Sequence, residues 1–440
     1  MSNPYTEDEV QVRFHGIAVG GAAVGKVTGG PEEPEMVGMT AFVPFAAPGE
    51  TARVRVVRRH PRYLDGELIA VEEAAPEQPR TEPRCPYFGT CGGCDIQHLT
   101  YPAQLAAKEE MVRGAFRTGG HADIVDRITP VTPGPPYHYR RRVTLHVDQK
   151  GNVGYYRRRS HTLLPVDTCP IAVPEIDGLL GSGFHLSGLV PVGVKMELAV
   201  EAGENGLFGV LRADRILRVA AVTALVERLK GRFAGGAVEA GGGIVAQFGE
   251  ETVLRRMAAD IEVMHATPGI FAQVNAAVNE KLVEAVCAFA RESGAQSAFD
   301  LYSGAGNFAL PLAAMGLSAV AAVESEPALA ASARAEAKRR GLSERMTVVE
   351  NTVERFLARR RKEEGLNADF VVADPPRTGL GNLATRFDFG RSLALISCDL
   401  ASAARDLRAL RGTGWVVESV TPFDMFAQTA HVELLTRLRR

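Results

Sequence analysis

A short apolar segment that breaks into a stiff polar turn constrains this chain more than any other stretch. Residues 369–373 run Asp-Phe-Val-Val-Ala, and Asp374, two prolines and Arg377 follow. Strands inside parallel sheets are continuous apolar runs, and proline cannot donate to a sheet ladder, so the strand must end at this turn. The pattern predicts an α/β sheet that holds Asp374 and Arg377 just beyond its edge, where such sheets place their chemistry.

A second apolar segment, residues 395–397, brings Cys398 to the same predicted edge. A free cysteine is most often a small buried core residue, and for this thiol alone that interpretation would be preferred. Because the thiol follows a strand that ends beside the Asp-Pro-Pro-Arg turn, a functional role for Cys398 is favoured.

A βαβ unit ahead of this edge predicts a site for a nucleotide-like cofactor. A strand over residues 298–302 leads into the loop Ser303-Gly-Ala-Gly-Asn, a helix, and a second strand that ends at Glu324. An acidic side chain at that position can accept hydrogen bonds from ribose hydroxyls. NAD binding would favour a third glycine where the chain has Ala309, whereas S-adenosylmethionine has no pyrophosphate that requires it. Asn351, at the end of the next strand, lies where an adenine edge could be bound.

Three clustered cysteines form the most specific motif in the sequence. Cys85, Cys91 and Cys94 are spaced Cys-x5-Cys-Gly-Gly-Cys, and Cys169 is the best candidate for a fourth ligand. Four thiolates suit either zinc or an iron–sulfur cluster. Zinc ribbons usually carry two paired knuckles, so this spacing favours iron–sulfur without excluding zinc.

The remaining patterns predict two further domains. Short alternating segments with glycine-rich turns over residues 11–72 predict a five-stranded barrel of the OB type, either nucleic-acid-binding or purely structural. Residues 96–116 have helical periodicity, with apolar residues on one stripe and charged residues opposite. We predict a barrel over residues 1–73, a central domain over 74–264 and a catalytic domain over 265–440.

Composition limits the class of protein. The 440 residues are 46% hydrophobic and carry a net charge of −2, so nucleic acid must be bound by local patches. Residues 137–142 and 155–161 interleave tyrosine with arginine and predict such a patch, with a solvated charged strand pair as the alternative.

The polar N-terminus has no signal-peptide pattern, and six cysteines without such a signal indicate the cytoplasm. The uncharged run 301–323 is long enough for a membrane helix, but its glycines and proline favour strand, loop, helix and strand.

These motifs together resemble the iron–sulfur-containing RNA (uracil-5-)-methyltransferases, which form 5-methyluridine in ribosomal RNA. The resemblance covers nearly the whole chain. It implies a class I methyltransferase domain with a Rossmann-like sheet, an N-terminal TRAM domain that binds RNA, and an α+β iron–sulfur domain. It also implies that the helix of residues 96–116 docks against the catalytic domain, and that 23S ribosomal RNA is the substrate. Nothing in the sequence demands more than a monomer.

The resemblance further implies roles for individual residues. Cys398 matches the nucleophile and Glu433 the base. Phe271 matches an aromatic residue that stacks on the target base, and we group Arg377 with it as a substrate contact. The S-adenosylmethionine contacts would be Gln273, Tyr302, Asn307, Glu324, Asn351 and Asp374. The ligands of a [4Fe-4S] cluster would be Cys85, Cys91, Cys94 and Cys169. Two departures from the family pattern are Ser303, where cysteine is usual, and Asp399-Leu400, where Asn-Pro is typical.

Other functions remain open at this point. A transfer RNA uridine-C5 methyltransferase is one, although relatives restricted to that substrate generally lack the cluster cysteines. An exocyclic-amine N-methyltransferase is another, because Asp-Pro-Pro motifs occur there, typically followed by an aromatic residue instead of Arg377. A non-catalytic RNA-binding protein would use the barrel, cysteines and basic strands but would not need the cofactor loop.

Overall fold

The structure is a computed structural model that describes residues 8–30, 36–257, 261, 263–362 and 367–440. Its described part contains a closed five-stranded barrel, two seven-stranded sheets and a small two-stranded sheet. The predicted barrel begins at residue 1 and the predicted catalytic domain includes 363–366, so both predictions extend over residues outside the described ranges.

The barrel confirms the prediction made from the alternating segments. Val10, Val12 and Phe14 point into its core, and the residues between them face outward in the alternation expected for a strand buried on one face. The strands close in the order β1-β2-β3-β5-β4. They are β1 (Glu9–Ile17), β2 (Ala22–Gly29), β3 (Thr40–Pro44), β4 (Thr51–Arg59) and β5 (Tyr63–Glu73).

The central region follows the barrel with one long helix and a mixed sheet. The helix is α1 (Tyr101–Thr118), followed by a short 3-10 helix, Ala122–Arg127. The strands are β6 (Arg142–Val147), β7 (Val153–Tyr156), β8 (Leu163–Pro165), β9 (Met196–Gly203), β10 (Gly206–Ala213), β11 (Gly235–Ala240) and β12 (Gly243–Gly249). They are ordered β12-β11-β10-β9-β6-β7-β8, and the helices α2 (Pro174–Gly181) and α3 (Val219–Lys230) pack on them. The two-stranded sheet of β13 (Val253–Arg256) and β14 (Val263–Ala266) comes next.

The C-terminal sheet has the order β17-β16-β15-β18-β19-β21-β20. Five strands are parallel, and β21 is antiparallel to the neighbours on both of its sides. The strands are β15 (Ser297–Leu301), β16 (Ala319–Glu324), β17 (Met346–Glu350), β18 (Phe370–Ala373), β19 (Ser392–Ser397), β20 (Val416–Phe423) and β21 (Glu433–Arg439). The helices are α4 (Ala276–Glu292), α5 (Ala309–Ala314), α6 (Pro327–Arg339), α7 (Val353–Lys362) and α8 (Leu400–Gly412), with a 3-10 helix at Gly381–Arg386.

The run 301–323 folds as predicted, into the end of β15, a loop, α5 and most of β16. No helix among the described residues is long and apolar enough to cross a membrane. The predicted domain boundary after residue 73 coincides with the end of β5, and the predicted boundary after residue 264 lies within β14. The division into three domains stays a prediction.

Helix α1 corrects the sequence interpretation in one respect. It begins five residues later than predicted, and its buried face is not purely apolar, since Gln104 and Lys108 are buried beside Met111 and Val112. The helix packs against β1 of the barrel and α8 of the C-terminal region. The docking implied by the family resemblance is therefore present, and it includes a buried cation that the periodicity did not predict.

Candidate active site

The parallel strands of the C-terminal sheet end at a cavity of about 480 Å³. Nine of the ten residues predicted to bind cofactor, bind substrate or react line this cavity: Phe271, Gln273, Tyr302, Asn307, Glu324, Asp374, Arg377, Cys398 and Glu433. The tenth, Asn351, lies beside the site; its backbone N–H donates to the carbonyl of Glu324, and its side-chain oxygen accepts from Thr352 N. The sheet edge predicted from the Asp-Pro-Pro-Arg turn is thus where the candidate residues meet.

Strand polarity explains how Glu433 reaches Cys398 from another part of the chain. Cys398 follows the last residue of β19, whereas Glu433 is the first residue of β21, which runs antiparallel to β19. The register pairs Ser397 with Leu434, so Cys398, the residue after Ser397, lies beside Glu433, the residue before Leu434. A thiol and a carboxyl group thereby share one end of the cavity.

Burial and neighbouring carboxyl groups set the protonation of these side chains. Burial, together with the charges of Glu433 and Asp374, raises the pKa of Cys398 to about 11, and the nearby Arg377 guanidinium lowers it. Burial also raises the pKa of Asp374 to about 7. The pKa of Glu433 lies well above its usual value, because the carboxyl is buried and faces Asp374, against the opposing effect of Arg377. Arg377 is therefore the cation that favours the charged form of both Cys398 and Glu433.

The loop after β15 forms the opposite end of the cavity. Glu324 accepts hydrogen bonds from Gly304 N at 2.9 Å and Glu326 N at 2.7 Å, which fixes the glycine loop against the end of β16. Gly304 and Gly306 have φ of +56° and +97°, values that glycine adopts without steric cost. Tyr302 also has a positive φ, +64°, a conformation that costs free energy for a non-glycine residue and is found at functional sites.

Two side chains of this loop differ in how their polar atoms are paired. Asn307 exchanges two hydrogen bonds with Asn279 of α4, at 2.9 and 3.0 Å. The hydroxyl of Ser303 is buried, lines the cavity and has no hydrogen-bond partner within the described residues. Since an unpaired buried hydroxyl is unfavourable, a polar group of a bound molecule would stabilise this loop.

The Asp399-Leu400 departure leaves the loop after Cys398 intact. Asp399 is the N-cap of α8, and its side chain accepts from Ser402 N at 2.8 Å. Aspartate caps helices about as well as asparagine, and Leu400 at the first helical position is buried. The two residues that depart from the family pattern therefore cap α8 and contribute to its packing.

A network of arginines from the central region holds the segment that carries Phe271. Arg255 binds buried Glu201 through two hydrogen bonds of 2.5 and 3.0 Å and donates to the carbonyls of Ile270 and Phe271. Arg142 donates to Ile270 O at 2.5 Å and to Gly269 O at 2.9 Å. The Phe271 ring itself remains 60% exposed. The sequence predicted a role for this aromatic residue, whereas the buried ion pair of Arg255 and Glu201 behind it was not predicted.

The cysteine motif lines a second cavity, of about 460 Å³. Cys85, Cys91, Cys94 and Cys169 all contribute to its wall. Burial raises the pKa of each thiol, and the charge of Cys169 raises those of the other three, so the four lie within electrostatic reach of one another. No group of three or more Cys, His, Asp or Glu side chains in the described ranges is arranged to hold a single metal ion.

The two arginine- and tyrosine-rich segments differ in accessibility. In the first, Tyr139 donates to Ala427 O at 2.8 Å, and Arg141 pairs with Glu204 at 2.9 Å. In the second, Arg157 and Arg159 are exposed, and Arg157 lines the cysteine cavity. Much of the first segment therefore binds protein, and the exposed charge is concentrated in the second.

Family models match both ends of the chain. The model described as tRNA (Uracil-5-)-methyltransferase matches residues 254–440, and the model described as TRAM domain matches residues 5–69. The C-terminal sheet lies within the first match, and the barrel lies within the second except for the last four residues of β5.

Similar proteins extend the match over the whole length. An uncharacterized RNA methyltransferase of Gloeobacter violaceus is 30% identical over 465 residues, 98% of this chain and 96% of the relative. The 23S rRNA (uracil(1939)-C(5))-methyltransferase RlmD of Shewanella denitrificans is 27% identical, over 90% of this chain and 91% of the relative.

A solved structure shares the fold. The crystal structure of Pyrococcus abyssi tRNA (uracil-54, C5)-methyltransferase in complex with S-adenosyl-L-homocysteine has a TM-score of 0.70 and 20% identity, covering 98% of this chain and 100% of that one. The class I methyltransferase fold and the TRAM barrel predicted from the resemblance are confirmed. The chain belongs to the RNA (uracil-5-)-methyltransferase family, whose members transfer a methyl group from S-adenosylmethionine to C5 of a uridine in RNA.

Proposed function

We propose that this enzyme methylates C5 of a uridine in 23S ribosomal RNA, with Cys398 as nucleophile and Glu433 as base. The observation that carries the proposal is the placement of this thiol and this carboxyl group side by side in the cavity that also contains the glycine loop. The choice of 23S RNA is supported by full-length similarity to RlmD proteins and by the cysteine motif.

The reaction requires the two groups in sequence. C5 of uracil is a poor nucleophile toward a sulfonium methyl. Once Cys398 has lost its proton, its thiolate forms a bond to C6, and the ring becomes an enolate that attacks the methyl group from C5. S-adenosylhomocysteine leaves, Glu433 removes the C5 proton, and the electrons of that bond re-form C5=C6 as the thiolate departs. Arg377 assists the first step by lowering the pKa of Cys398.

The target base must leave its stack to reach this thiol. Unstacking costs a few kcal/mol, which stacking on protein side chains and base-edge hydrogen bonds offset. The exposed ring of Phe271 is suited to that contact, because its backbone is held by Arg142 and Arg255 while its face stays open. Phe271 and Arg377 are therefore our proposed substrate contacts.

S-adenosylmethionine is assigned to the glycine-loop end of the cavity. Glu324 is proposed to bind the ribose hydroxyls, and Gln273, Tyr302, Asn307 and Asp374 to surround the rest of the cofactor. Asn351 does not line the cavity, but it is hydrogen-bonded to Glu324. We therefore propose that it contacts the adenine edge of the cofactor.

The four cysteines of the second cavity are proposed to hold a [4Fe-4S] cluster. All four cysteines line the same cavity, and four thiolates are a donor set of iron–sulfur clusters. Three of them are clustered in the sequence and one is remote, a spacing that favours a cluster over the two paired knuckles of a zinc ribbon. A bound cluster would cross-link the segment 85–94 to Cys169, a structural or RNA-positioning role. Anaerobically purified protein should contain iron and sulfide, and stoichiometric zinc without iron would refute the assignment. We also propose a cytoplasmic location, where the four thiolate ligands would be kept reduced.

Two variants separate the steps at uracil. Cys398→Ala should bind RNA and form neither product nor a covalent complex. Glu433→Gln should allow attack and methyl transfer but not elimination, and so accumulate a denaturant-resistant complex with methylated RNA. Labelled methyl donor and denaturing gels report both outcomes. RNA containing 5-fluorouridine should trap the wild-type enzyme, since fluorine cannot leave as a proton does.

The competing functions give different results in the same assays. Full turnover by Cys398→Ala would discard the covalent mechanism and favour methylation of an exocyclic amine, which needs no nucleophile. Mapping 5-methyluridine in RNA from cells with and without the gene identifies the substrate. A lost signal in transfer RNA instead of 23S RNA would change the substrate and leave the chemistry unaltered.

A further inference from the structure

The segment between β20 and β21, residues 424–431, forms a wall of the active site. Phe426 and His431 line both the active-site cavity and the cysteine cavity. Only Val432 separates this segment from Glu433. Its conformation therefore determines the surroundings of the proposed base and the partition between the two cavities. We call residues 424–431 the base loop.

A buried ion pair fastens the start of the base loop to α1. Lys108 and Asp424 are both 0% exposed and form an ion pair across 316 residues of sequence. Lys108 also donates to Phe426 O at 3.0 Å, and the Tyr101 hydroxyl donates to the second carboxylate oxygen of Asp424 at 2.7 Å. Asp424 thus has a partner on each oxygen, both from α1.

A pair of amides fastens the middle of the loop. Gln104 Nε2 donates to Gln428 Oε1 at 2.9 Å, and Gln104 Oε1 accepts from Gln428 N at 3.1 Å. Gln428 has a φ of +70°, which is unfavourable for a side chain with Cβ and persists only where surrounding contacts enforce it. The α1 residues Tyr101, Gln104 and Lys108 follow one another at helical spacing of three and four, so one face of α1 makes all of these contacts.

A gain in folding stability does not by itself explain these buried polar contacts. Burying an ion pair costs desolvation that its attraction barely repays, and an apolar replacement is often neutral. The polar face of α1 instead fixes the backbone conformation of the base loop, because each hydrogen bond ends on a specific atom of that loop. Cys398 is held differently, by β19 and the N-cap of α8. The contacts of Tyr101, Gln104 and Lys108 therefore end on the base loop, which leads into the proposed base.

We propose that Tyr101, Gln104 and Lys108 are positioning residues for the proton-abstraction step. They hold the base loop so that Glu433 meets the C5 proton after methyl transfer. The inference rests on the proposed function, since it requires the covalent intermediate. Loosening the loop should slow elimination more than thiolate attack, so a methylated covalent complex should build up during turnover.

Gln104→Met and Tyr101→Phe are the principal variants, because each removes polar atoms and keeps most of the side-chain volume. An ordinary hydrogen bond changes an equilibrium by up to about tenfold, so we expect turnover to fall by about that factor. The rate at which RNA with 5-fluorouridine traps the enzyme should change little, because trapping needs attack by Cys398 and methyl transfer but no removal of a C5 proton. Lys108→Met should have a larger effect; the other two variants carry the test if it does not fold.

The decisive measurement is the fraction of enzyme in denaturant-resistant complex with labelled-methyl RNA at steady state, in a 23S RNA transcript. A several-fold excess over wild type supports the inference. Equal slowing of trapping and turnover, or unchanged turnover, overturns it. Glu50→Gln is the matched control, since Glu50 is a buried carboxylate that pairs with Arg80 at the barrel. Accumulation in that control would assign the effect to general loosening and also overturn the inference. A wild-type enzyme that 5-fluorouridine does not trap would instead refute the proposed function.

Discussion

At the scale of the residue, the chemistry depends on a thiol that its surroundings keep protonated. Burial, Glu433 and Asp374 raise the pKa of Cys398 to about 11, and Arg377 is the neighbour that opposes them. A high pKa limits the fraction of thiolate at neutral pH and also increases the intrinsic nucleophilicity of the thiolate that forms. Release of the proton is therefore coupled to Arg377 and to whatever neutralises the two carboxyl groups when RNA and cofactor bind.

This leads to a prediction about alkylation of the free enzyme. Only the thiolate reacts with iodoacetamide, so the rate at Cys398 should rise about tenfold per pH unit and level off near pH 11. Arg377→Met removes the cation that lowers this pKa, so its alkylation at pH 8 should be slower than in wild type, and Arg377→Lys should be nearer to it. Peptide mass spectrometry follows Cys398 separately from the other cysteines. A rate that levels off below pH 9 would contradict the raised pKa.

At the scale of the element, sequence periodicity predicted the sheet well. Apolar runs and their breaking residues located β15, β16 and β18 within one residue, because a strand buried on both faces is a continuous apolar run. The end of β19 at Ser397 was also located, although the strand begins three residues before the predicted segment. What periodicity missed is polar and long-range: Lys108 and Gln104 on a helix face expected to be apolar, and Glu201 behind Arg255. Those partners lie 54 to 324 residues apart, and no local pattern encodes them.

The glycine loop gives a prediction for cofactor binding. Glu324 fixes Gly304 and is the proposed acceptor for the ribose hydroxyls. A hydrogen bond to a charged group contributes roughly 1.5–3 kcal/mol, so Glu324→Ala should weaken S-adenosylmethionine binding by about ten- to a hundredfold. Isothermal titration calorimetry measures the dissociation constant for S-adenosylmethionine directly. Ser303→Ala provides a comparison with a smaller loss, because it removes one neutral hydroxyl. Unchanged affinity in Glu324→Ala would place the ribose elsewhere.

The Phe271 segment gives a prediction for RNA binding. Arg255→Met leaves Glu201 buried without its partner and frees two carbonyls of the segment, a change that typically costs about 3–5 kcal/mol of stability. The double variant Arg255→Met, Glu201→Leu removes the unpaired charge and should fold. We expect its KM for RNA to rise, with S-adenosylmethionine affinity near that of wild type. Steady-state kinetics with both substrates distinguish this from a general loss of active enzyme.

At the scale of the whole molecule, the central region connects the barrel to the catalytic sheet. One continuous hydrophobic core includes residues of the barrel, α1 and one face of the C-terminal sheet. The contacts of α1 with the base loop and of Arg142 and Arg255 with the Phe271 segment reach the active site from two directions. The central region is thus part of the catalytic unit, and the family resemblance predicted the docking of α1 but not these contacts.

Net charge leads to the last prediction, which concerns how RNA is held. At −2 overall, the enzyme must bind phosphates through local clusters, and Arg157 at the cysteine cavity and Arg159 two residues later are both exposed. Each phosphate contact to single-stranded RNA changes the slope of log K against log salt by about 0.7, so the double variant Arg157→Gln, Arg159→Gln should flatten it by about 1.4. The matched control is Arg228→Gln, Lys230→Gln on α3, which packs on β11 and β12 at the opposite edge of the central sheet. It changes the net charge equally and should leave the slope unaltered. Filter binding at several salt concentrations measures both. Equal slopes in the two double variants would mean that RNA does not contact Arg157 and Arg159. The RNA-binding surface would then lie elsewhere than at the cysteine cavity.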